Sequence, residues 1–146
     1  MVTLKPIDSG NWEKAIQLTV TEEQKDFVAT NLYSIAQLQF LENFSAMGVY
    51  LDNEMVGFAM YGIDSDDQNY WIYRLMIDKE HQGKGLGLLA VVAIIEELKN
   101  RKEADIPCIM IGYHPTNNGA RFTYQKAGFI EQEIAPWGEQ LAKYDF

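Results

Sequence analysis

The stretch with the clearest chemistry in this 146-residue chain is Gln82-Gly83-Lys84-Gly85-Leu86-Gly87. Its glycines leave backbone N–H groups uncovered, and an apolar run that reads as a helix begins at Leu86. Unpaired N–H groups and the positive end of a helix dipole together hold an anion such as phosphate. Glycine permits the close approach of backbone to ligand. A P-loop would need Ser or Thr after Lys84, where Gly85 stands. A dinucleotide fingerprint would need glycine at 88, where Leu88 stands. A second set lies further on. Asn117, Ala120 and Tyr124 are spaced three and four apart, so on a helix they share one face. That face presents an amide that can hold a ligand and a phenol that can give up a proton. Taken singly, the same residues also suit an N-cap and a packing aromatic.

The elements that must carry these groups follow from periodicity and breakers. Tyr70–Ile77 is aromatic, β-branched and apolar, with Arg74 its one charge, and reads as a strand feeding the glycine loop. The helix of 86–98 is apolar almost all round to Ile95, becomes charged over 96–103 and stops before Pro107. Cys108–Tyr113 reads as a buried strand, 120–127 as a helix closed by Gly128, and 129–135 and 140–146 as two last strands joined through Pro136-Trp137-Gly138. Ahead of these come a strand over 2–7 and a helix over 11–20 with Trp12, Ala15, Ile16 and either Leu18 or Thr19 facing inward. Thr21 and Gln24 form a capping-box pattern, as do Ser34 and Gln37, and predict two short helices over 22–29 and 35–44, broken near Thr30-Asn31. A hairpin joins 48–51 to 55–63, and 64–69 (Asp-Ser-Asp-Asp-Gln-Asn) reads as a solvated loop that could also draw in a cation. The order predicts one domain over residues 1–146, an α/β fold with a single mixed sheet and helices on both faces.

Composition narrows the function. A net charge of −9 argues against nucleic acid as a partner, and it suits a cationic substrate. No apolar run is long enough to span a bilayer, so no membrane partner is expected. No secretion signal is visible, and Cys108 is the lone cysteine, which fits a reduced cytoplasmic setting and a core role for that thiol. Two histidines and one cysteine, scattered, form no metal-ligand set.

Gln82-x-x-Gly85-x-Gly87 resembles the coenzyme A pyrophosphate signature of the GNAT family of N-acetyltransferases. Asn117-x-x-Ala120-x-x-x-Tyr124-x-Lys126-x-Gly128-Phe129 is similar to that family's closing motif. The resemblance implies a mostly antiparallel sheet of about seven strands and acetyl-CoA as cosubstrate. It implies that Gln82, Gly83, Lys84, Gly85, Leu86, Gly87 and Asn117 contact the cofactor and that Tyr124 protonates the departing thiolate. It also implies a bulge in the Tyr70–Ile77 strand, with backbone N–H groups near Leu75, Met76 and Ile77 facing the acetyl-pantetheine arm. Residues 24–31, 56–61, 74–78 and 82–85 together look like the diamine and spermidine/spermine N-acetyltransferase branch, which implies a polyamine acceptor. Family members are often dimers, and 140–146 is a strand that could pair across a homodimer interface.

The chemistry so implied has one hard step. An alkylammonium of pKa about 10.4 is neutral only to roughly one part in 2,500 at pH 7, so freeing its lone pair costs about 4–5 kcal/mol. Some relatives carry a glutamate where Tyr73 stands here, so a direct carboxylate base is in doubt at that position. Glu22, Glu23, Tyr61 and Tyr73 are the candidate amine ligands, with deprotonation through water. The alternatives are the same chemistry on an aminoglycoside, an amino acid or a protein amine, or an acyl-CoA-binding module without turnover.

Overall fold

A computed structural model describes residues 1–101, 103 and 105–146. One mixed seven-stranded sheet runs through it, formed by β1 (Val2–Pro6), β2 (Phe44–Leu51), β3 (Glu54–Ile63), β4 (Tyr70–Ile77), β5 (Cys108–Tyr113), β6 (Ile130–Ile134) and β7 (Gln140–Asp145). Its spatial order is β1-β2-β3-β4-β5-β7-β6. Every neighbouring pair is antiparallel except β4 with β5. The expected mixed and mostly antiparallel sheet is therefore observed. The strand expected over 140–146 cannot pair across an interface by its edge, because β7 is bonded on both sides, to β5 and to β6.

Alternation along β3 builds two cores. Ala59 and Tyr61 face α3 (Leu86–Arg101), which buries Leu86, Ala90, Val91, Ile94, Ile95 and Leu98. Phe58 and Met60 face the other way, with Ala15 of α1 (Trp12–Gln17) and Leu18. Two side-chain directions per strand and a helix layer over each give the expected helices on both faces. Two details differ from the sequence expectation. Leu89 and Val92 of α3 are exposed, because only one stripe of the helix reaches the sheet. Trp12 is also partly exposed, so Ala15 and Leu18 carry the inward face of α1.

The two short helices expected near the N-terminal third are rearranged. Residues Glu22–Gln24 make only a single 3-10 turn, in which the Thr21 N–H donates to Gln24 Oε1 at 3.3 Å. The helix α2 starts earlier and ends sooner than expected, at Asn31–Leu38. Its cap is Thr30, whose hydroxyl accepts from the Tyr33 N–H. Ser34 is interior and bonds back to the Thr30 carbonyl, so it is not the cap its local pattern suggested. The last helix, α4 (Asn118–Ala127), ends as expected on Gly128, which takes a left-handed φ of 109°.

Candidate active site

β4 and β5 are paired over only three residues, Tyr70 with Ile109, Trp71 with Met110 and Ile72 with Ile111. Beyond Ile72 they part. A cavity of about 600 Å³ fills the fork, walled by the rest of β4 on one side and by Gly112 and Tyr113 on the other. The fork is shaped by a bulge in β4. Met60 lies opposite Arg74 and Tyr61 opposite Ile72, so Tyr73 is the extra residue. The bulge expected in this strand is thus present, and Tyr73 lies on the wall of the fork.

At the wide end stands the glycine loop. Asp78 pins its approach: one carboxylate oxygen accepts from the Thr19 N–H at 2.9 Å and the other from the Glu80 N–H at 3.2 Å. Gln82 Nε2 donates to the Ile77 carbonyl and to Gln24 Oε1, each at 2.9 Å, and so ties the loop to β4 and to the Glu22–Gln24 turn. Gly83 and Gly85 take φ of 81° and 76°, in the left-handed region that disfavours a side chain, with nothing within 4 Å of where a Cβ would sit. The N–H groups of the first turn of α3 have no partner within the helix. Open space before a positive helix end suits an anionic ligand, and the long fork beyond it suits an extended arm.

α4 closes the cavity from the β5 side. Asn117 caps it, accepting from the Ala120 N–H at 3.1 Å, and both residues line the cavity. Tyr124, seven residues on, stacks on Tyr113 at 5.7 Å between ring centres. Burial first, and the neighbouring Tyr113 second, push its phenol well above the ordinary value, which keeps its proton in place as a donor needs. Tyr113 itself gives its hydroxyl to Glu131 at 2.5 Å, and Arg121 binds the same carboxylate oxygen at 2.8 Å.

A second cavity, of about 430 Å³, opens on the other side of the bulge. Ile72, Tyr73, Arg74, Gly112 and Glu139 belong to the walls of both. Its remaining lining is mostly acidic and aromatic: Asp64, Asp66 and Asp67 from the β3–β4 loop, with Trp71 and Trp137, beside Gln37 of α2. The Tyr73 hydroxyl donates to Asp64, and burial followed by that bond pushes the phenol up. The Trp71 indole donates to Asp67 at 2.8 Å and that of Trp137 to Glu139 at 2.6 Å. Arg74 gives Nη1 to the Tyr73 carbonyl and Nη2 to Gln37, while its Nε is buried without an acceptor. Burial pushes its guanidinium down, against the upward pull of Tyr33, Glu139 and Tyr73.

Of the residues singled out from sequence, Leu75, Met76, Ile77, Gln82, Gly83, Gly85, Leu86, Gly87, Asn117, Tyr124 and Tyr73 all line the first cavity. Lys84 is exposed and outside both linings. Tyr61 is a correction. It is fully buried under α3 and donates to Glu97 at 2.5 Å, because strand alternation turns it away from the fork. Glu22 and Glu23 are a second correction, being exposed and outside both cavities, with Glu22 paired to Lys25 at 2.6 Å. The carboxylates that do reach a cavity are Asp64, Asp66, Asp67 and Glu139. Their sequence signal was an acidic loop abutting an aromatic strand, which by itself reads as solvated.

Among the described residues there is no cluster of three or more potential metal ligands, and no helix is long and apolar enough to cross a membrane. The profile described as Acetyltransferase (GNAT) family matches residues 12–129. The chain is 28% identical over 134 residues to the spermine/spermidine N(1)-acetyltransferase of Bacillus subtilis (strain 168), covering 88% of this chain and 87% of the relative. The same figures hold for the probable spermine N(1)-acetyltransferase of Bacillus subtilis subsp. natto (strain BEST195). In fold it resembles an aminoglycoside acetyltransferase solved in complex with coenzyme A, with a TM-score of 0.79 at 21% identity over 99% of this chain and 95% of that one. It also resembles the ribosomal-protein-S18-alanine N-acetyltransferase from Escherichia coli, with a TM-score of 0.72 at 18% identity over 99% and 94% of the two chains. The glycine loop, the forked strands and the buried phenol thus belong to a member of the acetyltransferase (GNAT) family, an N-acetyltransferase that draws its acyl group from acetyl-CoA.

Proposed function

We propose that this enzyme acetylates a primary amine of a small polycation of the spermidine, spermine or diamine class. The observation that carries the reading is the second cavity. Four carboxylates, from Asp64, Asp66, Asp67 and Glu139, and two indole rings line a space that shares its wall with the cofactor fork. Carboxylates attract the ammonium groups of an extended chain, and aromatic faces pack its methylenes and its cations. The two relatives named for spermine or spermidine acetylation support the same reading.

Acetyl-CoA, when bound, supplies an acetyl thioester at the fork. Backbone N–H groups from Gly83 to Gly87, with the α3 N-terminus behind them, would hold its phosphates, and Asn117 would contact its arm. The N–H groups of β4 below the bulge, near Leu75, Met76 and Ile77, would face the oxygen that gains charge. Tyr124 would give its proton to the sulfur that leaves. A thiol of pKa near 8.5 can depart at neutral pH unaided, so this proton speeds the step and prevents return.

A second reading keeps the chemistry and changes the acceptor to an aminoglycoside, also a polycation. It is favoured by Trp137, a residue 63% exposed whose ring could take a sugar face. Thiol release from acetyl-CoA, measured with spermidine, spermine, short diamines, amino acids and an aminoglycoside, separates the two. Saturable release with the linear polyamines is expected. Release with the aminoglycoside alone would replace the acceptor. The double variant Asp66→Asn, Asp67→Asn should raise the polyamine KM, by about 1 kcal/mol or roughly fivefold for each carboxylate lost.

A further inference from the structure

We propose that Glu139 accepts the proton of the acceptor ammonium, an assignment that rests on the amine entering through the second cavity. The acid–base demand is large, since an alkylammonium must lose a proton before its nitrogen can attack. A proton acceptor has to stand where amine and thioester meet, which is the wall common to the two cavities. Glu139 is the sole carboxylate among the described residues that lines both. The acids of the β3–β4 loop line only the outer cavity.

Local geometry holds the carboxylate at that point. Glu139 lies over the bare backbone of Gly112, the first β5 residue past the β4 pairing. A Cβ on Gly112 would stand 2.9 Å from Glu139 Oε1 and 3.3 Å from its Cδ. Gly112 has no left-handed φ, so its backbone does not require glycine, and the missing side chain is the room the carboxylate uses. The Trp137 indole donates to Oε1 at 2.6 Å and fixes the group's orientation. The charged and titratable groups around it are Arg74 and Tyr73 from β4, with Asp64, Asp66 and Asp67 from the preceding loop. β5 contributes Gly112. Tyr33 and Gln37 of α2 reach Arg74 rather than Glu139.

The protons balance. The ammonium nitrogen passes one proton to Glu139, and its freed lone pair forms the amide C–N bond as the C–S bond breaks. The sulfur takes a proton from Tyr124, and the second proton lost by the nitrogen restores the phenol. Glu139 returns its proton to solvent through the outer cavity.

The test is the pH dependence of kcat and kcat/KM for Glu139→Gln against the wild type, with spermidine as acceptor. At neutral pH the variant is expected to lose a hundredfold or more in kcat, with coenzyme A affinity unchanged. Its rate should then climb about tenfold per pH unit toward the amine's own pKa, closing the gap, because the neutral amine arrives already deprotonated. A loss of the same size at every pH, or a rise in amine KM with kcat intact, overturns the assignment. Gly112→Ala, which leaves Glu139 in place but pushes its carboxylate aside, should show a smaller loss with the same approach to the wild type at high pH. An unchanged profile there also counts against the proposal. If the wild type acetylates only some other amine, the polyamine reading fails while the Glu139 profile, taken with that amine, still decides the proton acceptor.

Discussion

Tyr124 is held by ring packing rather than by a hydrogen bond to a carboxylate: Tyr113 stacks on one side of it and Phe129 meets it edge-on. Tyr124→Phe should keep that packing and lose only the proton. The expected result is a kcat lowered by about a hundredfold with little change in coenzyme A affinity, read by steady-state kinetics beside calorimetric binding. By contrast, Glu22→Gln and Glu23→Gln should leave the polyamine KM unchanged, since both side chains point to solvent away from either cavity. At this scale the sequence was informative where chemistry is local. Asn117 and Tyr124 share a face because a helix puts them there, and that can be counted along the chain. Glu139 and Asp66 lie more than seventy residues apart and meet at one cavity only because the bulge at Tyr73 and the fork at Gly112 bring them there. No short-range pattern encodes that meeting.

Between the residue and the molecule stand the segments that aim these groups. The glycine loop is one. Gly85→Ala would force a side chain into φ of 76° with no steric neighbour, at a cost of about 1–2 kcal/mol. That should appear as roughly tenfold weaker coenzyme A binding with a small loss of Tm. Gly57 is a harsher case, because a Cβ there would lie 2.4 Å from the Met76 carbonyl oxygen across the β3–β4 ladder. Gly57→Ala should cost about 3 kcal/mol in denaturant unfolding and displace the strand that lines the fork. A third link joins α4 to β6 through Arg121 and Glu131. The Tyr113 hydroxyl, then Arg121, hold the Glu131 carboxyl below its usual range. Its folded pKa is depressed, so its contribution to stability is present above the ordinary carboxylate pKa and is lost as pH falls through the lowered value. Glu131→Gln should therefore flatten the acid side of a Tm-against-pH curve. The helices over 86–101 and 118–127 and most strands were readable from alternation and breakers, but β2 was read only from Gly48 although it begins at Phe44, where a helix end was expected. The 22–38 region was not readable, because a capping box signals a helix start without fixing whether one turn or several follow. Here the chain is drawn across to bond Gln82 and to bury Asn31.

For the molecule as a whole, charge decides how substrates arrive. A chain of net charge −9 with four carboxylates at one cavity draws in polycations and repels the phosphates of the donor. If the acceptor is the proposed polycation, raising salt from roughly 0.05 to 0.3 M should lower its kcat/KM several-fold and leave that for acetyl-CoA equal or higher. The opposite signs distinguish steering from a general salt effect. The three-residue contact between β4 and β5 has a mechanical meaning as well. It joins two parts of the sheet, β1 to β4 on one side and β5, β7 and β6 on the other, through three residue pairs. So short a seam should open at a lower free energy than the rest of the ladder. An occupant of the fork would brace it, so amide exchange at Gly112, Tyr113 and the end of β4 should slow on coenzyme A binding far more than exchange in β2. Release of the product would remove the brace, so the same amides should return to fast exchange in the ligand-free enzyme.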